Sequence, residues 1–156
     1  MFDYPTILAT WETLPDAKLM FSREESGWAK RLDATHYCLG NVPLAPDLAL
    51  YDIVTVRRGR GGVLQVKAIA QSYCTQKWTV RYPVGPTADD SQRRYTLLRQ
   101  ACQAAGAFLE GMYTGTAVCN APDGVDVPAI LQRAGVAEVT CALWVRKEAL
   151  QPPEKG

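Results

Sequence analysis

Short apolar runs that alternate with polar residues dominate the middle of the chain. Residues 53–56, 63–69 and 78–82 are rich in β-branched and aromatic side chains, and a period of two is typical of half-buried strands. Residues 57–62 separate the first two runs and hold three glycines, which supply the positive φ angles that a tight hairpin turn requires. We therefore predict an antiparallel meander over residues 51–82.

The first third of the chain predicts one further hairpin. Residues 27–40 alternate on either side of a turn at 33–35, as paired strands do. Residues 41–47 contain two prolines, which cannot lie in a central strand, so this stretch is predicted to be a loop. Residues 1–16 also contain two prolines, which break any long element. We expect a loose arm or an edge strand there.

The pattern changes to a helical period after residue 87. Thr87 followed by Asp90 is typical of a capping box, in which the two residues close the first turn of a helix. Gly106 suits the position just after the helix. The predicted buried stripe has the spacing i, i+3, i+4, i+7 and consists of Tyr95, Leu98, Ala101, Cys102 and Ala105.

The remaining elements are predicted from turn residues and alternation. Residues 107–120 favour one strand, whose two glycines mark a bulge or a bend. Pro128 favours the first turn of a second helix, which Gly135 ends. Residues 139–145 alternate as a last strand, and residues 151–156 form a polar tail.

The order of these elements indicates an α+β fold. An N-terminal antiparallel hairpin and meander is followed by β-α-β-α-β, with both helices packed on one sheet. The N-terminal hairpins would extend that sheet or curl into a small barrel beside it. We expect one domain over residues 1–150, a length with which a small second lobe is compatible, and a flexible tail over 151–156.

Cysteine usage and hydropathy favour a cytoplasmic protein. The 156 residues include five cysteines, an odd number at wide spacing, which is typical of reduced thiols. Four of the five lie in apolar surroundings and are expected in the core. No apolar run is long enough to cross a membrane, and the first residues do not resemble a signal peptide.

The positive charge is concentrated in the middle of the chain. The net charge is +1, but residues 51–100 carry nine bases and three acids. The run of residues 57–62, RRGRGG, resembles a nucleic-acid-binding RGG box, yet such boxes are repeated, so a hairpin turn is favoured and no nucleic acid is expected. Its Arg57, Arg58 and Arg60 would still be exposed donors suited to a carboxylate or a phosphate.

Few residues carry candidate chemistry. His36 and Cys38 are two apart on one strand, but a nucleophile pair needs the thiol to face its base, so catalysis is disfavoured. Asp123 and Asp126 are interpreted as a turn residue and a helix cap rather than cation ligands. Glu110 lies in an apolar segment and is predicted to form a structural ion pair with Arg81. We expect no metal, no cofactor and no enzymatic activity.

Short turn and strand motifs recur between about residues 26 and 146. They consist of Trp28; Tyr37, Leu39, Asn41 and Pro43; Tyr51, Asp52, Ile53 and Val54; Thr79, Val80 and Arg81; Gly106 and Glu110; and Val125, Asp126, Val127 and Pro128. Together these motifs resemble the small bacterial domain of unknown function DUF4265. Tyr51 departs from the pattern, since a small residue is expected before Asp52. The family brings no activity with it, but similar small domains often neighbour secreted bacterial toxins as immunity proteins.

The resemblance implies a non-enzymatic protein-binding domain, most concretely an immunity protein that occludes the active site of a cognate toxin. One alternative is a regulatory domain that binds a small molecule or a peptide in a cleft between the N-terminal hairpins and the helical half. Another is an enzyme built around Glu110, Arg81 and His36. The sequence leaves the oligomeric state open. Candidate partner-binding residues are Trp11, Glu24, Glu25, Arg57, Arg58, Arg60, Tyr73 and Tyr113, since aromatic and arginine anchors dominate interfaces.

Overall fold

The computed structural model describes residues 1–144. Their contacts form two compact units, which we call unit 1 (residues 1–73) and unit 2 (residues 74–144). A single domain over residues 1–150 stays a prediction. Val145 of the predicted last strand and the predicted tail at 151–156 lie outside the described residues.

Unit 1 begins with a helix where we expected an arm or an edge strand. Pro5 lies in the first turn of α1, where a missing N–H costs nothing because that group has no partner within the helix. The elements of unit 1 are α1 (Tyr4–Ala9), a 3₁₀ turn (Trp11–Thr13), β1 (Asp16–Met20), β2 (Ser26–Arg31), β3 (His36–Leu39), β4 (Ile53–Arg58), a 3₁₀ turn (Arg60–Gly62) and β5 (Leu64–Gln71).

The five strands of unit 1 form a closed barrel in the order β1-β2-β3-β4-β5. Neighbouring strands are antiparallel, and the barrel closes where β1 runs parallel to β5 at Met20 and Gln65. Of the two arrangements predicted for the hairpins, the structure therefore shows the barrel. Its interior is apolar and contains Leu19, Phe21, Ala29, Tyr37, Leu39, Leu48, Val54 and Ile69.

Unit 2 contains four strands and two helices. They are β6 (Gln76–Arg81), α2 (Ala88–Ala104), β7 (Phe108–Tyr113), β8 (Thr116–Ala121), α3 (Val127–Gln132) and β9 (Thr140–Leu143). The sheet has the order β7-β8-β6-β9, and each neighbouring pair is antiparallel. β7 and β9 are therefore its two edge strands.

Two details of the predicted strand order are wrong. The run at 78–82 belongs to β6, which pairs with β8 and β9 and not with β5, so the meander ends at Gln71. Residues 107–120 form a hairpin of two strands, because Gly115 adopts a φ of 84° and turns the chain back. An apolar run of strand length does not show which strand it pairs with, since pairing depends on residues that are distant in the sequence.

Both helix starts agree with the sequence prediction. The side chain of Thr87 accepts a hydrogen bond from the backbone N–H of Asp90 (3.1 Å), and Asp126 accepts one from Ala129 (3.1 Å), so each satisfies an N–H that the helix leaves unpaired. Gly106 follows α2 with a φ of 83°, as a residue after a helix commonly does.

The α+β prediction is confirmed, since both helices contribute to one core against the sheet of unit 2. That core comprises Val80, Tyr82, Leu98, Cys102, Ala107, Leu109, Ala117, Cys119, Ala121, Val127, Ile130 and Leu131. Cys102 and Cys119 are among four fully buried cysteines, as predicted. None of the helices in residues 1–144 has the length and apolar character needed to span a membrane.

Candidate functional site

An open cleft of about 620 Å³ lies beside the start of α2 in unit 2. Because its wall and floor come from different parts of unit 2, the fold itself brings these side chains together. The lining consists of the loop before the helix (Tyr82, Val84, Gly85, Pro86, Thr87), the first turns of α2 (Ala88, Ser91, Gln92, Tyr95) and the β7–β8 hairpin (Glu110, Gly111, Met112, Tyr113, Thr114).

The loop that forms one wall is held tightly to α2. The backbone N–H of Gly85 donates to the hydroxyl of buried Ser91 (2.9 Å), and Arg94 donates to the carbonyl oxygen of Pro83 (2.8 Å). A Cβ at position 85 would overlap the side chain of Asp90, so only glycine fits this close approach. The wall is therefore preformed.

The part of the cleft that β7 forms is fixed by the phenol of Tyr95. The backbone N–H of Gly111 donates to the phenol oxygen of Tyr95 (3.1 Å), and the O–H of Tyr95 donates to the carbonyl oxygen of Leu109 (3.5 Å). In a parallel sheet, one residue bonds to the residues before and after the residue that it faces on the neighbouring strand. The hydroxyl of Tyr95 makes the same two hydrogen bonds, on either side of Glu110. Tyr95 thus occupies part of the outer edge of β7, which would otherwise be open to another strand.

The environment of Tyr95 disfavours its anion. Burial is the larger cause, and the nearby carboxylate of Glu110 is the second, and together they raise the pKa of Tyr95 above its ordinary value of 10.0. The hydroxyl therefore keeps its proton at neutral pH and can both donate and accept a hydrogen bond.

The rim of the cleft combines apolar surface with one acid. The side chains of Val84 and Tyr113 are 60% and 63% exposed, which is unusual for large apolar residues that line the same depression. Glu110 is also exposed, and Met112 is half-buried. The arrangement can bind an apolar side chain and place a positive group near Glu110.

The predicted ion pair between Arg81 and Glu110 does not form among residues 1–144. β6 and β7 lie on opposite sides of β8, where Val118 is paired with both Thr79 and Glu110. Sequence proximity to apolar residues suggested burial of Glu110, but it faces solvent on an edge strand. The lining of the cleft includes Glu110 but not Arg81, and the enzyme alternative stays a prediction.

Two of the predicted aromatic anchors meet in unit 1. The rings of Trp11 and Tyr73 lie 5.4 Å and 5.7 Å from the ring of Tyr51, and all three are half-buried. Edge-to-face contacts of this kind contribute to packing. Tyr113, in contrast, is largely exposed and lies at the cleft of unit 2.

The two predicted acidic anchors differ in their surroundings. The carboxylate of Glu25 accepts hydrogen bonds from the backbone N–H groups of Leu44 and Ala45, each at 2.8 Å. It therefore holds the proline-bounded loop in place, a structural role that the sequence did not suggest. Glu24 is exposed, and its backbone N–H lies 3.4 Å from the hydroxyl of Ser22.

The predicted hairpin turn at residues 57–62 is confirmed. Gly61 and Gly62 adopt φ angles of 71° and 80° between β4 and β5. Arg57, Arg58 and Arg60 are all exposed. They remain available as donors at one end of the barrel.

His36 and Cys38 do not form a nucleophile pair. His36 lies 3.0 Å from the carboxylate of Asp33, whose pKa is lowered chiefly by the N–H of Thr35. Cys38 is buried, and burial followed by the charge of Asp52 raises the pKa of its thiol to about 12. Residues 1–144 hold no cluster of three or more His, Cys, Asp or Glu side chains suited to a metal ion.

Two residues of the cleft were not singled out from the sequence. The sequence predicts Tyr95 in the buried stripe of α2, and the side chain does pack on that core, but its hydroxyl bonds to β7. Val84 lies between a proline and a glycine, and an exposed valine in such a loop gives no sequence signal of its own.

Comparisons with known proteins identify a similar fold. A crystal structure of a hypothetical protein from Neisseria gonorrhoeae matches with a TM-score of 0.51 and 18% identity, covering 82% of this chain and 93% of that chain. At this identity the similarity shows the fold alone. No protein-family model and no curated protein matches the chain, and the resemblance to DUF4265 stays a prediction.

Proposed function

We propose that this protein is a non-enzymatic protein-binding domain that holds a segment of its partner in the cleft of unit 2. The observation that carries this proposal is the exposure of Val84 and Tyr113 around one preformed depression. Fully burying such a side chain is worth about 1.5–3 kcal/mol. Two of them, with Glu110 beside them, provide the central anchors that protein interfaces use.

The partner that we propose is a cognate bacterial toxin, whose active site the bound protein would occlude. This finer assignment is based on the family resemblance and not on the cleft. The near-neutral net charge of +1 favours recognition by shape and a few anchors over masking of a strongly charged surface.

Co-expression with a toxin-domain protein encoded beside this one tests the proposal. The wild-type protein should rescue growth of the host, and Tyr113→Asp should abolish rescue because a carboxylate replaces the aromatic anchor. Val63→Asp is the matched control, since Val63 is 45% exposed and lies in unit 1. Circular dichroism should show that both variants are folded.

Each outcome decides one part of the proposal. Rescue by wild type and by Val63→Asp, with loss in Tyr113→Asp, supports binding of a toxin at the cleft. Equal rescue by all three proteins refutes the cleft as the binding site. Failure of the wild type to rescue, together with no complex on gel filtration of the two purified proteins, refutes the toxin as the partner.

The size of the cleft also favours a second candidate function, a regulatory domain that binds a small molecule or a peptide. Its volume of about 620 Å³ lies within the range of small-molecule sites. Thermal unfolding across a metabolite panel tests this alternative. A rise in melting temperature that Tyr113→Asp removes would support it, and a flat response across the panel would count against it.

A further inference from the structure

A second opening lies in unit 1, on the seam that closes the barrel. β1 pairs with β5 at Met20 and Gln65, and the chain then leaves β1. A groove of about 440 Å³ opens at this point, and we call it the basic groove. It is lined by Met20, Phe21, Ser22, Arg23, Arg57, Gln65 and Val66.

The lining carries two positive charges and no negative one. Arg23 and Arg57 contribute both guanidinium groups, and the other lining residues are uncharged. The ion pairs within residues 1–144 join Lys30 to Asp16, His36 to Asp33 and Arg93 to Asp90. Neither arginine of the groove is therefore neutralised by a carboxylate of the described chain.

Arg57 is oriented by a neighbour that is not charged. Its Nε donates to the side-chain oxygen of Gln65 (3.2 Å), which leaves both terminal nitrogens for a ligand. Arg58 ends β4, and its side chain lies on the opposite face of that strand from Arg57, where it donates to the carbonyl of Gly62 (3.2 Å). The guanidinium groups that line the groove are therefore those of Arg23 and Arg57.

The acids nearest in sequence do not cancel this charge inside the groove. Glu24 and Glu25 follow Arg23, but neither lines the groove. Both carboxylate oxygens of Glu25 accept backbone N–H groups of the loop at Leu44 and Ala45. The groove is therefore locally positive in a unit that also carries many acids.

We propose that the basic groove binds a small ligand that carries a phosphate group. A phosphate group bears up to about two negative charges, which match the two guanidinium groups of the lining, whereas a single carboxylate would match only one of them. The planar fork of arginine fits phosphate oxygens in pairs. The half-buried side chains of Met20 and Val66 add an apolar surface for the rest of the ligand. This proposal does not depend on the proposed function of the cleft.

Calorimetric titration with sodium tripolyphosphate at low ionic strength tests the proposal on the full-length protein. Arg57→Gln and Arg23→Gln should each raise Kd about tenfold or more, since each removes charge-assisted hydrogen bonds. Arg99→Gln is the matched control, because Arg99 is exposed on α2 of unit 2 and the change in net charge is the same. Circular dichroism should show that all three variants are folded.

Three outcomes would overturn the proposal. The first is no binding of tripolyphosphate to the wild type, and the second is an equal loss in Arg99→Gln, which would indicate attraction to net charge alone. The third is binding of tricarballylate, which carries three carboxylates, as tightly as tripolyphosphate with the same dependence on Arg57, which would assign the groove to a carboxylate ligand. Preference for tripolyphosphate that is lost in both groove variants and kept in the control supports it.

Discussion

Tyr95→Phe removes one oxygen atom and tests the role of the phenol at the edge of β7. The ring of the new residue keeps its packing on the core of unit 2, because Phe differs from Tyr by the hydroxyl alone. The N–H of Gly111 loses its acceptor at 3.1 Å, and the carbonyl of Leu109 loses a donor at 3.5 Å. The change therefore isolates the hydrogen bonds from the packing.

The expected loss of stability is about 1 kcal/mol. A typical intramolecular hydrogen bond contributes about 0.5–1.5 kcal/mol net, and the contact with Leu109 is at the limit of hydrogen-bond length. Gly111 is exposed, so a water molecule can accept the hydrogen bond that its N–H loses. The loss of stability should therefore stay near the middle of that range. A loss of this size corresponds to a fall in melting temperature of roughly 2–4 °C for a chain of this length.

The pH dependence gives a second, independent readout. The pKa of Tyr95 is raised above 10.0 in the folded protein by burial and by Glu110. Above about pH 10 the unfolded chain releases this proton while the folded protein still holds it, so the wild type loses stability as the pH rises. Tyr95→Phe has no such proton, and the difference in unfolding free energy between the two proteins should shrink above pH 10.

Urea unfolding at neutral and alkaline pH measures both effects, and amide hydrogen exchange at Gly111 measures the hydrogen bond directly. Tyr113→Phe is the control, since it removes the same atom from a residue that is 63% exposed. We expect faster exchange at Gly111 in Tyr95→Phe and no change in Tyr113→Phe. Unaltered exchange at Gly111 together with unaltered stability would refute the role given to the phenol.

Three further predictions follow from contacts elsewhere in the chain. Gly85→Ala should destabilise unit 2 by about 1–3 kcal/mol, because the new methyl group overlaps Asp90. Gly111→Ala should be tolerated, since the nearest atom to its new methyl group is 3.6 Å away, and equal melting temperatures for the two variants would contradict the overlap at Gly85. Brief treatment of the native protein with iodoacetamide should label Cys141 first, as mass spectrometry would show, since the other four thiols are buried; early labelling of any of those four would contradict the described core. Glu25→Gln should cost about 1–2 kcal/mol and speed proteolysis within residues 41–47, because the carboxylate accepts two backbone N–H groups there; an unchanged cleavage rate would show that the loop does not depend on this carboxylate.

Local signals in the sequence predicted the local structure well. The caps at Thr87 and Asp126 and the glycine turn between β4 and β5 agree with the structure, because each depends on residues within a few positions of one another. The same reasoning explains the predicted hairpin formed by β2 and β3. Contacts between residues a few positions apart can therefore be predicted from a single sequence.

Distant pairing could not be predicted in this way. The alternation of β6 fits a strand in either sheet, and its partner β8 is about forty positions away in the chain. The predicted ion pair between Arg81 and Glu110 does not form for the same reason. It required β6 and β7 to be neighbours, and β8 lies between them. The phenol of Tyr95 at β7 is another long-range contact that helical periodicity does not contain.

The closure of the barrel has a consequence for the behaviour of unit 1 in concentrated solution. A closed barrel has no edge strands, but here the ring is completed by one parallel pair, Met20 with Gln65, whereas β1 and β2 are joined by five pairs and β4 and β5 by six. If that link opens, the ring becomes a sheet with two edges, each able to recruit the matching edge of another molecule. Self-association of this protein should therefore begin at the seam between β1 and β5.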